Sequence, residues 1–254
     1  MFSVLDMFTI GVGPSSSHTV GPMVAAHAFA SSLQADHLVD RTARVKITLY
    51  GSLALTGLGH GTDRAAMAGL EGNLPATVDT DHMMHIREIC ALDDTLNLAG
   101  LKRIHFDYDR DVVFEQWKRM AAHPNGMRFQ AFDAAASLVD EQVWYSIGGG
   151  FVRKGAPEDP MIGIHERPPE GASFADADES SSTDFGVEAP YPFSSCTELV
   201  SLCREHHLSI AELVWANETA SRSGIQVRSD IDAIWRVMRA CVDNGCTSAE
   251  PTLP

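Results

Sequence analysis

One segment limits what this chain can fold into more than any other feature of its sequence. Residues 155–190 carry nine acidic side chains against a single Lys or Arg, with five prolines and the run Ser180-Ser181-Ser182. This composition has too few apolar side chains for a packed core and is typical of a linker or a long surface excursion. We therefore predict an N-terminal domain over 1–153, an acidic Pro/Ser-rich linker over 154–192 and a further segment over 193–254.

Candidate strands lie in the part before the linker. Apolar and polar residues alternate over 45–50, which predicts a half-buried strand. Two further strands are predicted over 127–132 and 138–147, joined by a turn. The triplet Gly148-Gly149-Gly150 ends the second of them.

Two helices are predicted in the same part of the chain. After Pro22, apolar residues and small alanines follow helical spacing, with the proline in the first turn. Thr62-Asp63 predicts the N-cap of a short helix over 64–70. Strands with interspersed helices, but without a regular strand–helix repeat, favour an α+β fold over a doubly wound sheet.

The segment after the linker is predicted to be all-helical. Ser195 or Thr197 precedes one apolar run at helical spacing, Ser209 precedes another, and a third ends at Asn244-Gly245. About 60 residues supply little core of their own. Because the helices carry broad apolar faces, we expect them to belong to a larger structure or to pack against a partner.

A cluster of donors lies just before the first predicted helix. Within residues 15–19, which we call the hydroxyl loop, four hydroxyl groups surround one imidazole, those of Ser15, Ser16, Ser17, Thr19 and His18. Hydroxyl and backbone N–H donors at the positive end of a helix suit a carboxylate or a phosphate. The loop therefore indicates a site for a small anionic ligand.

A second loop follows the same pattern. Residues 57–63, which we call the histidine loop, place His60 between Gly59 and Gly61 just before the short helix. Histidine exchanges protons near neutral pH, and glycine allows a ligand close to the backbone. Either loop alone is more often an ordinary capped helix start. Two such loops in one domain favour a binding site.

Composition excludes several classes of partner. The net charge of −15 argues against nucleic acid and against an anionic membrane. No apolar run approaches the roughly 20 residues of a membrane span, and Asp6 interrupts the N-terminal apolar residues, so no signal peptide is expected. Five scattered cysteines do not suggest a disulfide framework, which predicts a cytoplasmic protein.

Nucleotide and metal motifs are incomplete. Gly11-x-Gly13 lacks the third glycine of a dinucleotide fingerprint, and there is no Walker lysine motif, so we predict no nucleotide. His82-x-x-His85 and His206-His207 are predicted to be surface histidines, because no set of four ligands follows from the spacing. Cys241-x4-Cys246 has no third cysteine two residues later, as an iron–sulfur site would require. We therefore predict no metal ligands in this chain.

Three other polar residues have ordinary interpretations. His123 precedes an Asn-Gly turn and is expected to be exposed. Arg128 can hold a carboxylate, but an arginine on a strand edge is more often solvated. Ser146 either brings backbone near a ligand or marks a bulge or strand exit.

A series of motifs runs in order along nearly the whole chain. They are Phe2-Ser3-Val4-Leu5-Asp6, Gly13-Pro14-Ser15-Ser16-Ser17-His18-Thr19-Val20-Gly21-Pro22-Met23, Tyr50-Gly51-Ser52-Leu53-Ala54-Leu55-Thr56-Gly57, Gly59-His60-Gly61-Thr62-Asp63, Asn125-Gly126-Met127-Arg128-Phe129, Tyr145-Ser146-Ile147-Gly148-Gly149-Gly150-Phe151 and Pro190-Tyr191-Pro192-Phe193. In these motifs the chain resembles the iron–sulfur-dependent L-serine dehydratases (L-serine ammonia-lyases) of the single-chain bacterial type.

The resemblance implies two domains with different functions. The N-terminal domain would be similar to the allosteric substrate-binding domain of some D-3-phosphoglycerate dehydrogenases, and a helical catalytic domain would hold a [4Fe-4S] cluster on cysteines. One iron would act as a Lewis acid on the 3-hydroxyl of L-serine while a base removes the α-proton. Water would leave, and the enamine would hydrolyse to pyruvate and ammonia. An α-proton beside a carboxylate is very weakly acidic, so base and leaving-group activation act together. No pyridoxal phosphate is expected.

The resemblance also implies roles for residues of the two loops. We predict His60 as the catalytic base, with His18 as the second candidate. The substrate-binding residues are predicted to be Ser15, Ser16, Ser17, Thr19, Gly61 and Asn125.

The chain departs from the family in one respect. The family's cluster cysteines lie in its catalytic half, and none of the five cysteines here corresponds to them. The resemblance implies that the chain holds the complete N-terminal domain, the linker and, over 193–254, only the helical start of a truncated catalytic domain. We therefore expect a substrate-binding portion that is inactive alone and needs a cluster-bearing catalytic domain or chain, in a homo-oligomer. It is a fragment, a truncated gene product or a separate subunit. The alternative is a sensor that binds serine or another small carboxylate without catalysis.

Overall fold

The computed structural model describes residues 3–167 and 189–247. These residues fall into two compact units, one of residues 11–167 and one that combines residues 3–10 with residues 189–247. The sequence prediction had placed residues 3–10 in the N-terminal domain. Its boundaries at 153 and 192 stay a prediction, and the run Ser180-Ser181-Ser182 lies outside the described residues.

The first unit is built on a mixed sheet. Its strands are β1 Arg44–Tyr50, β2 Thr95–Leu98, β3 Lys102–His105, β4 Val112–Glu115, β5 Lys118–Met120, β6 Gly126–Phe132, β7 Leu138–Gly148, β8 Phe151–Gly155 and β9 Met161–Gly163. Seven of these described strands form one sheet in the order β2-β3-β1-β6-β7-β8, with β4 also paired to β1. Strand β1 runs parallel to β3 and β4 and antiparallel to β6, and β5 pairs with β9.

Helices cover the apolar face of this sheet. They are α1 Gly21–Ala35, α2 Gly51–Thr56, α3 Thr62–Leu70, α4 Thr80–Ala91 and α5 Tyr108–Asp111. Helices α1 and α3 approach closely because Gly69 lies against the Met23 carbonyl and the Ala26 methyl group, where a Cβ atom would not fit. The core beneath them contains Phe29 and Phe129, whose rings stack with centroids 5.5 Å apart.

The predicted α+β fold is confirmed. The strands predicted over 45–50, 127–132 and 138–147 are β1, β6 and β7, and the helix after Pro22 is α1. The cap predicted for the short helix was wrong. Helix α3 begins at Thr62 and its N-cap is Gly61, because the left-handed backbone at φ 62° turns the chain into the helix and leaves the Thr62 side chain buried.

The expectation of a solvated strand-edge Arg128 was also wrong. Strand β6 lies between β1 and β7, so Arg128 is an interior residue of the sheet with a side chain only 17% exposed. Its guanidinium lies 3.5 Å from the Glu141 carboxylate and donates to the Pro157 carbonyl oxygen at 2.9 Å.

Part of the segment predicted as a linker belongs to a strand, since β9 pairs with β5.

The second unit is helical, as predicted. It contains a 3-10 turn, Val4–Met7, and helices α6 Cys196–Glu205, α7 Ile210–Thr219 and α8 Gly224–Thr247. Ser195 caps α6, and Ser209 caps α7 in a capping box with Glu212. Helix α8 extends two residues beyond the predicted Asn244-Gly245 end. Among the described residues, no helix combines the length and hydropathy that crossing a membrane needs.

Candidate active site

The hydroxyl loop forms a single π-helical turn, Ser16–Val20, that runs directly into α1. Ser15 stands at its N-cap, and the Ser15 Oγ atom accepts the backbone N–H of His18 at 3.1 Å. The N–H groups of Ser16 and Ser17 have no hydrogen-bond partner within residues 3–167 and 189–247. Unpaired N–H groups at the start of a helix attract an anion, so this turn has the donors that a carboxylate needs.

Ser146 of β7 attaches the hydroxyl loop to the sheet. Its buried Oγ donates to the Ser17 carbonyl oxygen at 2.7 Å. The Asn125 side chain donates to the Ser146 carbonyl oxygen at 3.1 Å, and the Asn125 carbonyl accepts the Ser146 N–H at 3.1 Å. Gly21 packs so closely on Ser146 that a Cβ atom would overlap the hydroxyl. The sheet therefore sets the position of the loop.

The histidine loop connects α2 to α3 and leaves His60 half-buried. The Nδ1 atom of His60 lies 2.9 Å from the carbonyl oxygen of Thr56. Because a carbonyl oxygen only accepts, Nδ1 carries the hydrogen and the neutral ring has its lone pair on Nε2. Among the described residues, that Nε2 atom has no hydrogen-bond partner. His60 is therefore oriented as a proton acceptor.

Two buried threonines join the loops. The Thr19 hydroxyl donates to the His60 carbonyl oxygen at 2.8 Å, and the Thr62 hydroxyl donates to the His18 carbonyl oxygen at 2.6 Å. We call this pair of bonds the threonine clasp. It brings the two imidazole rings to a centroid distance of 4.9 Å with their planes 41° apart.

His18 is held differently from His60. Its Nδ1 atom lies 2.9 Å from the Ser17 hydroxyl and its Nε2 atom 3.0 Å from the Ser52 hydroxyl, so both ring nitrogens have partners. Partial burial lowers the pKa of His18, and the neighbouring His60 lowers it further. His18 is therefore neutral near pH 7 and orders the hydroxyls around it.

Asp63, the last residue of the histidine loop, anchors the first turn of α3. Its buried carboxylate accepts the Tyr108 hydroxyl at 2.6 Å and lies 3.7 Å from the Arg87 guanidinium. Burial, followed by the bond to Asp63, raises the pKa of Tyr108, so the phenol remains a donor. This network ties the histidine loop to α4 and α5.

The two loops together combine a proton acceptor with an anion site. The His60 Nε2 atom is free, the hydroxyl loop offers unpaired N–H groups and hydroxyls, and the ring centroids of His60 and His18 lie 4.9 Å apart. A small substrate whose carboxylate is bound by the hydroxyl loop can present a neighbouring C–H to His60. This geometry fits proton abstraction next to a carboxylate.

Comparison with known proteins bears on the same residues. The family model described as serine dehydratase beta chain matches residues 3–156. The chain belongs to the serine dehydratase beta chain family. The match includes both loops and Ser52, Asn125 and Ser146.

Curated relatives of this chain are named L-serine dehydratase. The chain is 43% identical to the protein of that name from Streptomyces coelicolor over 245 residues, which covers 96% of this chain and 50% of that protein. It is 38% identical to L-serine dehydratase 2 of Escherichia coli over 255 residues, covering 100% and 51%. It is 37% identical to L-serine dehydratase of Helicobacter pylori over 253 residues, covering 100% and 50%. The chain thus spans about half the length of these relatives.

The described part of the chain does not fit an iron–sulfur cluster. Within residues 3–167 and 189–247, no group of three or more His, Cys, Asp or Glu side chains could hold a metal ion. Burial raises the pKa of the Cys90 thiol to about 12, which keeps it protonated, and Cys196, Cys241 and Cys246 are exposed. The cluster implied by the resemblance therefore has no ligands among the described residues.

The predicted site residues of the chain occupy different places around the two loops. His18, His60, Ser15, Ser17 and Thr19 lie together in one hydrogen-bonded group. Ser16 is exposed at its rim, and Gly61 serves as the N-cap of α3. Asn125 reaches the group through Ser146 rather than directly. The substrate-binding roles stay predictions.

Sequence reasoning missed two members of the site and misplaced a third. Ser52 contacts His18, and Thr62 closes the clasp, although neither was predicted as a site residue. A signal for Thr62 was present, because a threonine follows the histidine in both loops. Thr19 comes directly after His18, and Thr62 comes two residues after His60. His123 was expected to be exposed, but it is partly buried and accepts the Asn125 N–H at 3.1 Å. The turn brings its ring to a centroid distance of 6.5 Å from Tyr145, and burial lowers its pKa.

Proposed function

We propose that this chain is the substrate-binding and proton-transferring part of an L-serine dehydratase, which converts L-serine to pyruvate and ammonia by α,β-elimination. The observation that carries the proposal is the free Nε2 lone pair of His60 in a loop that the threonine clasp joins to the unpaired N–H donors of the hydroxyl loop. The names of the relatives from Streptomyces coelicolor and Escherichia coli support the reaction and the substrate.

The hydroxyl loop binds the carboxylate of L-serine in this proposal. The backbone N–H groups of Ser16 and Ser17 are aligned by the helix that follows, and a charge-assisted bond to each is stronger than a neutral one. The Ser15 and Ser17 hydroxyls lie 3.4 Å apart, and the Ser52 hydroxyl lies 3.0 Å from Nε2 of His18 in the same loop. Because serine hydroxyls rotate, they adjust to the carboxylate.

His60 removes the α-proton. The C–H bond breaks, the proton goes to Nε2, and the electron pair forms the double bond to Cβ as the C–O bond to the β-hydroxyl breaks. The departing hydroxide takes up one proton from solvent to become water, and the imidazolium returns its proton to solvent. The resulting enamine takes up a proton at carbon and hydrolyses to pyruvate and ammonia. Thr56 supports the step, because its carbonyl oxygen accepts the Nδ1–H and stabilises the imidazolium that forms. Neutral His18 helps as well, since a second positive ring 4.9 Å away would oppose that charge.

A second domain or chain completes the site. The departing hydroxyl needs activation, and we place that function, with the cluster, on the half of the relatives that this chain does not match. The assembly is a homo-oligomer, and L-serine is its substrate. Free thiols at all five described cysteines suit the reducing cytoplasm.

A fusion tests the proposal. This chain is joined to the unmatched half of the Streptomyces coelicolor protein, its cluster is reconstituted without oxygen, and pyruvate is measured with L-serine as substrate. The fusion is expected to form pyruvate and the chain alone is not. Turnover by this chain alone contradicts the proposal, and so does a fusion that shows cluster absorbance yet leaves L-serine unchanged.

A further inference from the structure

The Asp63 carboxylate is buried three residues after the proposed base. Its side chain is 2% exposed and belongs to the second residue of α3, close to the positive end of that helix. A buried charge is costly unless it is paired, and this one is paired with groups from two other helices. Tyr108 of α5 donates its hydroxyl at 2.6 Å, and the Arg87 guanidinium of α4 lies 3.7 Å away. The first turn of α3 is therefore held through this one side chain.

Tyr108 and Arg87 also hold each other. The guanidinium carbon of Arg87 lies 4.0 Å from the centroid of the Tyr108 ring, a distance at which a cation is attracted to an aromatic face. The hydroxyl stays protonated, because burial and then the Asp63 carboxylate raise the pKa of Tyr108. The ring and the hydroxyl of Tyr108 thus have separate partners that agree on one orientation.

The histidine loop has few restraints of its own. Glycine occupies three of its seven positions, and Gly61 has a left-handed backbone with a φ of 62° and no side chain to cap α3. Among the described residues, the His60 ring makes one hydrogen bond, from Nδ1 to the Thr56 carbonyl oxygen. The direction of that ring therefore depends on how the ends of the loop are fixed, and Asp63 is the last residue of the loop.

We propose that Tyr108 is a positioning residue for His60 and acts through Asp63. The bond from its hydroxyl fixes the first turn of α3, and that turn fixes Gly61 and the imidazole just before it. Without the bond, the buried carboxylate has one donor fewer, so the start of α3 shifts and His60 shifts with it. The effect on catalysis rests on the proposed function, whereas the orientation of the ring is measured without turnover.

Nuclear magnetic resonance of the full chain, labelled with ¹⁵N at histidine, tests the orientation at about pH 8, where imidazole is neutral. The signals of His60 are those that His60→Asn removes. The wild-type chain is expected to show one tautomer of His60, with the hydrogen on Nδ1, because that hydrogen bonds the Thr56 carbonyl oxygen. Tyr108→Phe is expected to show a mixture of both tautomers.

Tyr145→Phe is the matched control. The buried Tyr145 hydroxyl likewise donates to a carboxylate at 2.6 Å, that of Asp159, but this bond joins β7 to residue 159 rather than to the histidine loop. The variant therefore removes the same kind of bond and is expected to keep the wild-type tautomer of His60.

Kinetics of the fusion enzyme test the effect on the reaction. Tyr108→Phe is expected to lower kcat by about 10- to 100-fold, the effect of misplacing a reacting group, while KM for L-serine changes by less than about twofold. Tyr145→Phe is expected to keep kcat. Asp63→Asn combined with Tyr108→Phe is expected to lose no more kcat than the worse single variant, because both changes break the same unit.

Three outcomes overturn the proposal. One is a single Nδ1–H tautomer of His60 in Tyr108→Phe. Another is an equal loss of kcat in Tyr108→Phe and Tyr145→Phe, which assigns the effect to general destabilisation. The third is a double variant whose loss is the product of the two single losses, which contradicts action through Asp63. If the tautomer changes as expected but the wild-type fusion leaves L-serine unchanged, the proposed function is wrong and the positioning role of Tyr108 stands.

Discussion

The Thr62 hydroxyl donates a 2.6 Å hydrogen bond to the carbonyl oxygen of His18, so a side chain of one loop holds the backbone of the other. Thr19 makes the reciprocal bond to His60 at 2.8 Å. The position of each imidazole therefore depends on the opposite loop. Proton acceptor and anion site are held in register by this clasp rather than by contact between the rings.

Removing one bond of the clasp is expected to destabilise the fold. Thr62→Val keeps the shape of the buried side chain but removes the hydroxyl that donates to the partly buried His18 carbonyl, at a cost of about 1–3 kcal/mol in the free energy of unfolding. Urea denaturation measures it. Thr56→Val is the control, because its exposed hydroxyl also bonds a carbonyl and its loss is expected to change stability by less than about 0.5 kcal/mol. Equal effects would show that the clasp does not hold the loops.

Replacing the proposed base is expected to abolish turnover without unfolding the protein. In the fusion enzyme, His60→Asn lowers kcat by a factor of about 10²–10⁴, because a positioned base contributes that much, while KM for L-serine changes little. His85→Asn is a close control. Its Nδ1 also lies 2.9 Å from the carbonyl oxygen four residues earlier, but His85 is exposed on α4. If both variants keep wild-type kcat, His60 is not the base.

The contact between Gly21 and Ser146 leaves no space for a methyl group. Gly21→Ala is expected to lower the free energy of unfolding by about 1–3 kcal/mol through overpacking, and to displace the hydroxyl loop. The same change at Gly245 of α8, which has open space around it, is expected to raise stability by about 0.5–1 kcal/mol. Thermal denaturation compares the two. Combining Gly21→Ala with Ser146→Gly should recover part of the loss, and no recovery would place the clash elsewhere.

Stability is expected to fall in mild acid. Partial burial, and then His60, lower the pKa of His18, and burial lowers that of His123, so the unfolded chain binds more protons than the folded one once the pH drops below about 6.5. The stabilisation is complete above that value and is lost as the pH falls toward the folded pKa values. Urea denaturation between about pH 5 and pH 8 measures the slope. His18→Gln should flatten it, whereas exposed His85→Gln should not; identical slopes would contradict the assignment.

Periodic spacing of apolar residues in the sequence predicted the strands and helices that bury one face. The alternation over 45–50 predicted β1, and the alanine-rich run after Pro22 predicted α1, because burial of one face imposes a period on the sequence. The position of a strand within the sheet was not predictable in this way. Arg128 was assigned to a solvated edge, yet β6 is interior, since strand order depends on pairing between distant segments.

The sequence by itself determined the α+β class, the helical segment after the linker, and the two loops in which histidines are surrounded by hydroxyls or glycines. Only the tertiary structure decided how those loops meet. The clasp of Thr19 and Thr62 depends on hydrogen bonds between residues that are 41 and 44 positions apart. Such contacts have no period, because one donor and one acceptor brought together by packing leave no repeating pattern along the chain.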